Sequence, residues 1–135
     1  MFLLDTNIWL ELLLEQEKAD HVRRLLEAEE AWQFAVTDFS VHSVGVVLTR
    51  LKQGDLFLDF LSDTLEDSAL RVVRLDTASL KEVPGVCRKF GLDFDDAYQY
   101  LAASKYNLTL VGFDSDFDRT ERGRRTPADV RDANH

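Results

Sequence analysis

The sequence predicts an α/β fold with a mainly parallel sheet, and three observations carry that expectation. Short apolar runs alternate with segments of helical periodicity along the chain. The runs are short and mainly apolar, as in strands covered on both faces. No internal repeat, low-complexity stretch or long linker divides the 135 residues, which suit one domain of ordinary size (1–135).

Taken in order, Phe2-Leu3-Leu4 reads as a short buried strand, and Asp5-Thr6-Asn7 opens a helix in which Ile8, Trp9, Leu12 and Leu13 share a face. A second helix spans Lys18 to Glu29, with Val22, Leu25 and Leu26 inward. Phe34 to Thr37 is the second strand. Ser40 is the expected N-cap of the next helix, whose Val41, Val44, Val47, Leu48 and Leu51 form an apolar stripe. Gly54-Asp55 breaks it, and Leu56, Phe57, Phe60 and Leu61 predict a short helix that closes near the acidic stretch Asp63 to Asp67. Arg71 to Leu75 is the third strand. Asp76 caps the helix after it, which Pro84-Gly85 interrupts or restarts. Gly91 ends the region. Asp95-Asp96-Ala97 begins a helix that runs to Tyr106 with Leu101 and Ala102 inward. Leu108 to Val111 is the fourth strand, ending at Gly112-Phe113-Asp114. The segment 119–135 is polar and Arg-rich, with one short strand expected near Val130.

Hydrophobic residues make up 45% of the chain, enough for a core and too many for a disordered segment. Sixteen Lys and Arg against 25 Asp and Glu give a formal net charge of -9, which argues against coating nucleic acid by charge alone. It leaves open an enzyme that gathers carboxylates around cations, because the cations reverse the local field. Cys87 is the only cysteine, so an intrachain disulfide is excluded and a Cys-based zinc site has no support. No basic segment leads into a long apolar run, and no stretch approaches a membrane span, so a soluble cytoplasmic protein is expected.

In open parallel sheets, sites form beyond the carboxyl ends of the strands. Asp5 directly follows the first strand and Asp114 closely follows the fourth, while Asp96 sits in the first turn of a helix after Gly91-Leu92-Asp93-Phe94. If the first and fourth strands are neighbours, these acids converge on one cleft. Each also has a local reading: Asp5 as an N-cap, Asp96 with Asp95 at the positive end of a helix, Asp114 in a polar turn with Ser115 and Asp116. Converging carboxylates repel one another, and a divalent cation resolves that repulsion. Such ions polarise phosphoryl groups and lower the pKa of bound water, chemistry suited to phosphodiester hydrolysis.

Three blocks then resemble a known family: Leu3-Leu4-Asp5-Thr6-Asn7, Asp95-Asp96-Ala97, and Leu110 through Phe117. In this order and spacing they resemble the PIN domain, specifically its short single-domain members that include the VapC-type toxins, over almost the whole length. The resemblance implies a three-layer α/β/α fold around a mainly parallel sheet, with central carboxylates that hold Mg²⁺ or Mn²⁺ and direct water onto an RNA phosphodiester. By motif, Asp5 is the first metal ligand and Asp96 the second. Asp114 completes the site directly or through water, and Asn7 orients Asp5 or the first helical turn. A homodimer and a protein antitoxin are the partners implied.

The chain departs from the family pattern twice. Members usually carry a Glu in the helix after the second strand, where this chain has Gly45, with no acid between Asp38 and Asp55. Gly112 stands where Thr or Ser is usual. His42, three residues before Gly45, can face the site to bind metal, water or phosphate, or can simply bond locally at the helix start; Asp38 is another source of the missing charge. Arg119, Arg122, Arg124 and Arg125 are the nearest cations for an RNA backbone, and equally suit a solvated surface or an acidic partner. Trp9 and Trp32 are either core or part of an apolar remainder that a partner covers.

Two other classes compete. A catalytically inactive module of the same fold, binding RNA or protein, is favoured by the missing Glu. A dehalogenase-like phosphatase needs an Asp where Asn7 stands, and a phosphoacceptor receiver needs an acidic pair at the first strand and a Lys after a late one; neither pattern is present.

Overall fold

A computed structural model describes residues 1–133, so the last two residues of the Arg-rich segment lie outside the described residues. Four strands, β1 (Phe2–Leu4), β2 (Phe34–Thr37), β3 (Arg71–Val73) and β4 (Thr109–Val111), form one sheet in the order β3-β2-β1-β4. Every pairing is parallel, with Leu3 opposite Ala35 on one side and Leu110 on the other. The first and fourth strands are therefore neighbours.

Side chains alternate across a strand, and that alternation builds three layers. Leu3, Ala35 and Leu110 face a core shared with Val83, Leu92, Ala97, Leu101 and Phe117. Leu4, Phe34, Val36 and Val111 face a second core with Ile8, Trp9, Val22, Leu25, Val44, Leu48 and Phe60. The first layer holds α5 (Thr77–Leu80), α6 (Val83–Phe90) and α7 (Phe94–Lys105). The second holds α1 (Thr6–Leu13), α2 (Ala19–Ala28), α3 (Asp38–Arg50) and α4 (Gly54–Phe60), which passes into a π-helical turn at Leu61–Glu66.

Several local expectations hold. Asp76 caps α5 by accepting from the Ser79 N–H at 2.9 Å. Pro84 lies in the first turn of α6, where its missing N–H costs nothing. Gly91 terminates α6 in the left-handed conformation (φ 66°), where a Cβ would be strained. Trp9 is buried, and Trp32 is 52% exposed.

Two expectations are corrected. Ser40 is not the cap of α3. Thr37 is, its hydroxyl accepting the Ser40 N–H at 3.0 Å, and the helix starts three residues earlier than its apolar stripe suggests. The strand expected near Val130 is instead helix α8 (Pro127–Ala133). Thr126 Oγ1 accepts from the Asp129 N–H (3.1 Å), and Asp129 accepts in return from the Thr126 N–H (2.9 Å), a reciprocal box followed at once by a proline. Val130 is thereby buried against the second core. The Arg-rich segment is also tethered to the sheet, since Arg125 bridges Val111 in parallel at the outer edge of β4.

Candidate active site

Beyond the carboxyl ends of β1 and β4 the chain assembles a group of acids. Asp5 follows β1, its backbone N–H donating to the Val111 carbonyl at 3.0 Å, which pins it beside the end of β4. Asp96 stands in the first turn of α7, whose cap is Asp93 accepting the Asp96 N–H at 2.9 Å. Asp114 caps a short 3-10 turn at Ser115–Arg119 and accepts the Asp116 N–H at 2.8 Å. One carboxylate oxygen from each of Asp96, Asp114 and Asp116 lies within 4.8 Å of the other two.

Asp5 is not one of these three; it is buried, 4% exposed, and interacts with the group through charge. Burial pushes its carboxyl from 3.8 up to about 7; the Thr6 N–H works against that rise, and Asp114, Asp93 and Asp95 add to it. Asp96 is likewise raised to about 7, first by desolvation and then by Asp93, Asp5, Asp114 and Asp116. These influences link Asp5 electrostatically to Asp96 and Asp114 of the clustered acids. Close beside it, a Cβ added at Gly112 would lie 3.3 Å from Asp5 Cβ and 3.4 Å from Oδ2, so glycine makes room for the carboxylate where a larger side chain would press on it.

The donors are all carboxylate oxygens, and desolvation with added mutual repulsion already raises two of them. That set fits a hard divalent cation such as Mg²⁺ or Mn²⁺ and does not fit a softer metal that prefers sulfur or imidazole.

Beneath the acids lies a buried neutral network. Thr6 Oγ1 is 2.7 Å from Ser40 Oγ. The Gln99 amide donates to Ser40 Oγ and, at 3.1 Å, to Thr37 Oγ1. Thr37 and Ser40 are fully buried and Gln99 is 1% exposed. The network joins the residue after Asp5 to the residue one turn beyond Asp96, and so sets the spacing of α1, α3 and α7.

Of the other expected residues, none joins the three clustered carboxylates, although Asp95 and Arg119 border the acid group. Asn7 is exposed and makes no side-chain hydrogen bond among the described residues, so it does not hold Asp5. Asp38 accepts from the Phe39 N–H (2.8 Å) and the Tyr98 hydroxyl (2.7 Å), engaged with α7 rather than with the acids. His42 is exposed, in a groove with Phe39, Val46 and Asp95. Asp95 is exposed too, its carboxyl raised by partial desolvation and by Asp93. At Gly45, an added Cβ would lie 2.9 Å from the Phe57 ring, so an aromatic side chain from α4 covers the position of the family's Glu. Arg119 donates to the carbonyls of Phe90 (2.9 Å) and Gly91 (2.6 Å) and pairs with Asp116 at 3.1 Å, which tethers one member of the acid group. Arg122 and Arg124 donate to the carbonyls of Leu108 and Gly112, each at 3.1 Å.

Asp93 and Gln99 were missed as contributors to the site. Asp93 carries a local signal, a cap three residues before Asp96. Gln99 carries none, because its partners are 59 and 62 residues away in sequence.

No curated protein sequence matches the chain. Among solved structures, it is similar to a toxin-antitoxin complex from Klebsiella pneumoniae (TM-score 0.74, 21% identity, 94% of this chain and 98% of that one). It is also similar to VapC20 from Mycobacterium tuberculosis, described as a sarcin-ricin loop cleaving toxin (0.76, 15%, 87% and 93%). A third similar structure is FitAcB from Neisseria gonorrhoeae (0.71, 17%, 95% and 99%). At these identities the likeness is one of fold. The profile described as the PIN domain matches residues 2–123, nearly the whole chain and all three acidic blocks, and the protein therefore belongs to the PIN domain family.

Proposed function

We propose that this protein is a divalent-metal-dependent endoribonuclease acting as the toxin of a toxin-antitoxin pair. The observation that carries the reading is the convergence of Asp96, Asp114 and Asp116 over buried Asp5, at the carboxyl end of the sheet in a PIN-family chain. In this reading Asp5, Asp96 and Asp114 hold the ion and Asp116 supports them. A bound Mg²⁺ or Mn²⁺ would offset the carboxylate repulsion, polarise the phosphoryl oxygen and lower the pKa of water. The chain's own part is placement. The parallel pairing of β1 with β4 sets Asp5 beside Asp114, and the Gln99 network holds α7 so that Asp96 faces them. Hydrolysis adds the oxygen of water to phosphorus as the bond to the leaving ribose oxygen breaks; the proton lost by water is balanced by the one the leaving oxygen gains.

VapC20 is described as a sarcin-ricin loop cleaving toxin, one similar structure is described as a toxin-antitoxin complex, and two others, FitAB and VapBC2, are described as bound to DNA fragments. These descriptions support RNA as substrate and a protein antitoxin as partner. Exposed Trp32, Val46, Leu51 and Leu58 suit such a protein partner or a second copy of the chain. No described helix is long and apolar enough to cross a membrane.

The covered position at Gly45 favours a second reading, a PIN module that binds RNA or protein without cleaving it. Incubating the chain with single-stranded RNA and Mn²⁺ separates the two. The nuclease reading expects cleavage that EDTA abolishes and that Asp96→Asn lowers by at least about 100-fold, the scale seen when one electrostatic stabiliser is removed from an active site. Binding without cleavage by the unaltered chain would favour the module.

A further inference from the structure

The four arginines between residues 119 and 125 do not form one patch. Arg119 is held by α6 and Asp116, at the acid group. Arg122, Arg124 and Arg125 instead line a separate open concavity of about 660 Å³ on the outer edge of β4, with Thr109, Leu110 and Asp129. Two of these three guanidinium groups are partly engaged. Arg122 donates to the Leu108 carbonyl, and Arg124 donates to the Gly112 carbonyl and pairs with Asp118 at 3.2 Å. Arg125 differs: it is exposed, and among the described residues its side chain makes no hydrogen bond or ion pair. Its backbone is nevertheless fixed, with its N–H donating to the Leu110 carbonyl and its carbonyl accepting the Gly112 N–H, both at 2.9 Å. An available cation thus sits on an anchored segment.

Among the described residues, the only acid lining this concavity is Asp129; its carboxylate caps α8 and is held below its ordinary value by the Thr126 hydrogen bonds first, with Arg124 and Arg125 adding charge attraction. Three guanidinium groups therefore stand against two carboxylates, Asp129 and the Asp118 that pairs with Arg124, on a chain whose net charge is -9. A polyanion repelled by the rest of the surface finds local attraction here, and over a Debye length of about 8 Å the local charge matters more than the total.

We propose that this concavity is a second anionic subsite, which binds a backbone phosphate of the RNA strand whose cleaved phosphate lies at the acid group. The proposal rests on the nuclease reading. Both places are reached from the same edge strand. Leu110 lines the concavity and Asp114 lies four residues on, at most ~14 Å along the chain. A stacked strand advances about 3.4 Å per nucleotide, so a fully extended segment of that length matches a separation of about four nucleotides. The guanidinium fork matches phosphate oxygens with paired N–H donors. An acidic peptide fits less well. The apolar residues that line the concavity, Leu108 and Leu110, are 1% and 3% exposed and offer no anchor for a peptide side chain.

The test uses the full chain carrying Asp96→Asn to prevent cleavage, with Mg²⁺ present, and dye-labelled single-stranded RNAs of three and ten nucleotides read by anisotropy over a salt series. Adding Arg125→Ala should weaken the ten-mer at least about threefold and flatten the slope of log affinity against log salt by about 0.7, one phosphate contact on a single strand. The three-mer, too short to span both places, should bind as before, which also shows that the variant is folded. Unchanged ten-mer affinity and slope, while the unaltered chain still cleaves RNA, would overturn the subsite and leave the nuclease reading standing. Failure of the unaltered chain to cleave or bind RNA with Mg²⁺ or Mn²⁺ removes both. Poly-glutamate that displaces the ten-mer only when Arg125 is present, with RNA affinity itself unmoved by Arg125→Ala, would reassign the concavity to an acidic peptide and overturn the proposal.

Discussion

Replacing Asp5 with Asn, without metal, should make the protein more stable above neutral pH and remove much of its pH dependence. Asp5 is 4% exposed, and its carboxyl is raised from 3.8 to about 7. A group raised on folding binds its proton more tightly in the folded state. Its contribution is therefore complete below the unfolded value near 3.8 and is lost as pH rises through about 7. The full displacement corresponds to about 4 kcal/mol, of which roughly 2–3 kcal/mol falls between about pH 5 and pH 8. Asn cannot ionise, so Asp5→Asn escapes that loss. Urea unfolding in EDTA at both pH values gives a double difference in which packing effects of the substitution cancel, and the variant should gain roughly 2–3 kcal/mol on the wild type from the lower to the higher pH. Mn²⁺ at the higher pH should restore much of the wild type's stability and little of the variant's. If both proteins lose stability equally with pH, Asp5 does not carry a buried charge and the electrostatic account of the site is wrong.

Two further substitutions probe the framework. Gly45→Ala adds a Cβ 2.9 Å from the Phe57 ring; overpacking of about 1–3 kcal/mol should exceed the helix-propensity gain of about 1 kcal/mol, and Phe57→Leu in the same chain should recover the difference in urea melts. A more stable Gly45→Ala single variant would show that Phe57 does not close that position. Gln99→Leu keeps the volume but leaves the Thr37 and Ser40 hydroxyls with fewer partners, which should cost about 1–3 kcal/mol. Because the network sets the place of α7, kcat for RNA cleavage should also fall while KM changes little. Unaltered kcat in a destabilised variant would reduce Gln99 to a purely structural role.

The layered fold was legible because its signals are local and repeated. Phe2-Leu3-Leu4, Phe34 to Thr37 and Leu108 to Val111 are mainly apolar, as expected of a sheet covered on both faces. Asp76, Pro84 and Gly91 act through their own turn of backbone, so their roles could be read without the rest of the chain. The helix at Pro127 was also readable, from Thr126 and Asp129 on either side of the proline; the polar, Arg-rich composition concealed it. Ser40 was assigned the cap that Thr37 makes, because both hydroxyl residues precede the apolar stripe and only the fold shows which one accepts the helix N–H.

The site divides along the same line. Sequence by itself determined that Asp5, Asp96 and Asp114 stand at the ends of strands or the start of a helix, because those positions follow from nearest-neighbour periodicity and capping. Only the tertiary structure decided that Asp116 joins Asp96 and Asp114, that Asp38, Asn7 and His42 stand aside, and that Phe57 covers Gly45. Those outcomes depend on distant segments meeting. Asp5 is buried because Val111 receives its N–H across the sheet, and α7 is placed by Gln99 reaching helix α3. Burial and charge coupling act through space, and residues far apart in a chain carry no local mark of the neighbours that folding will give them.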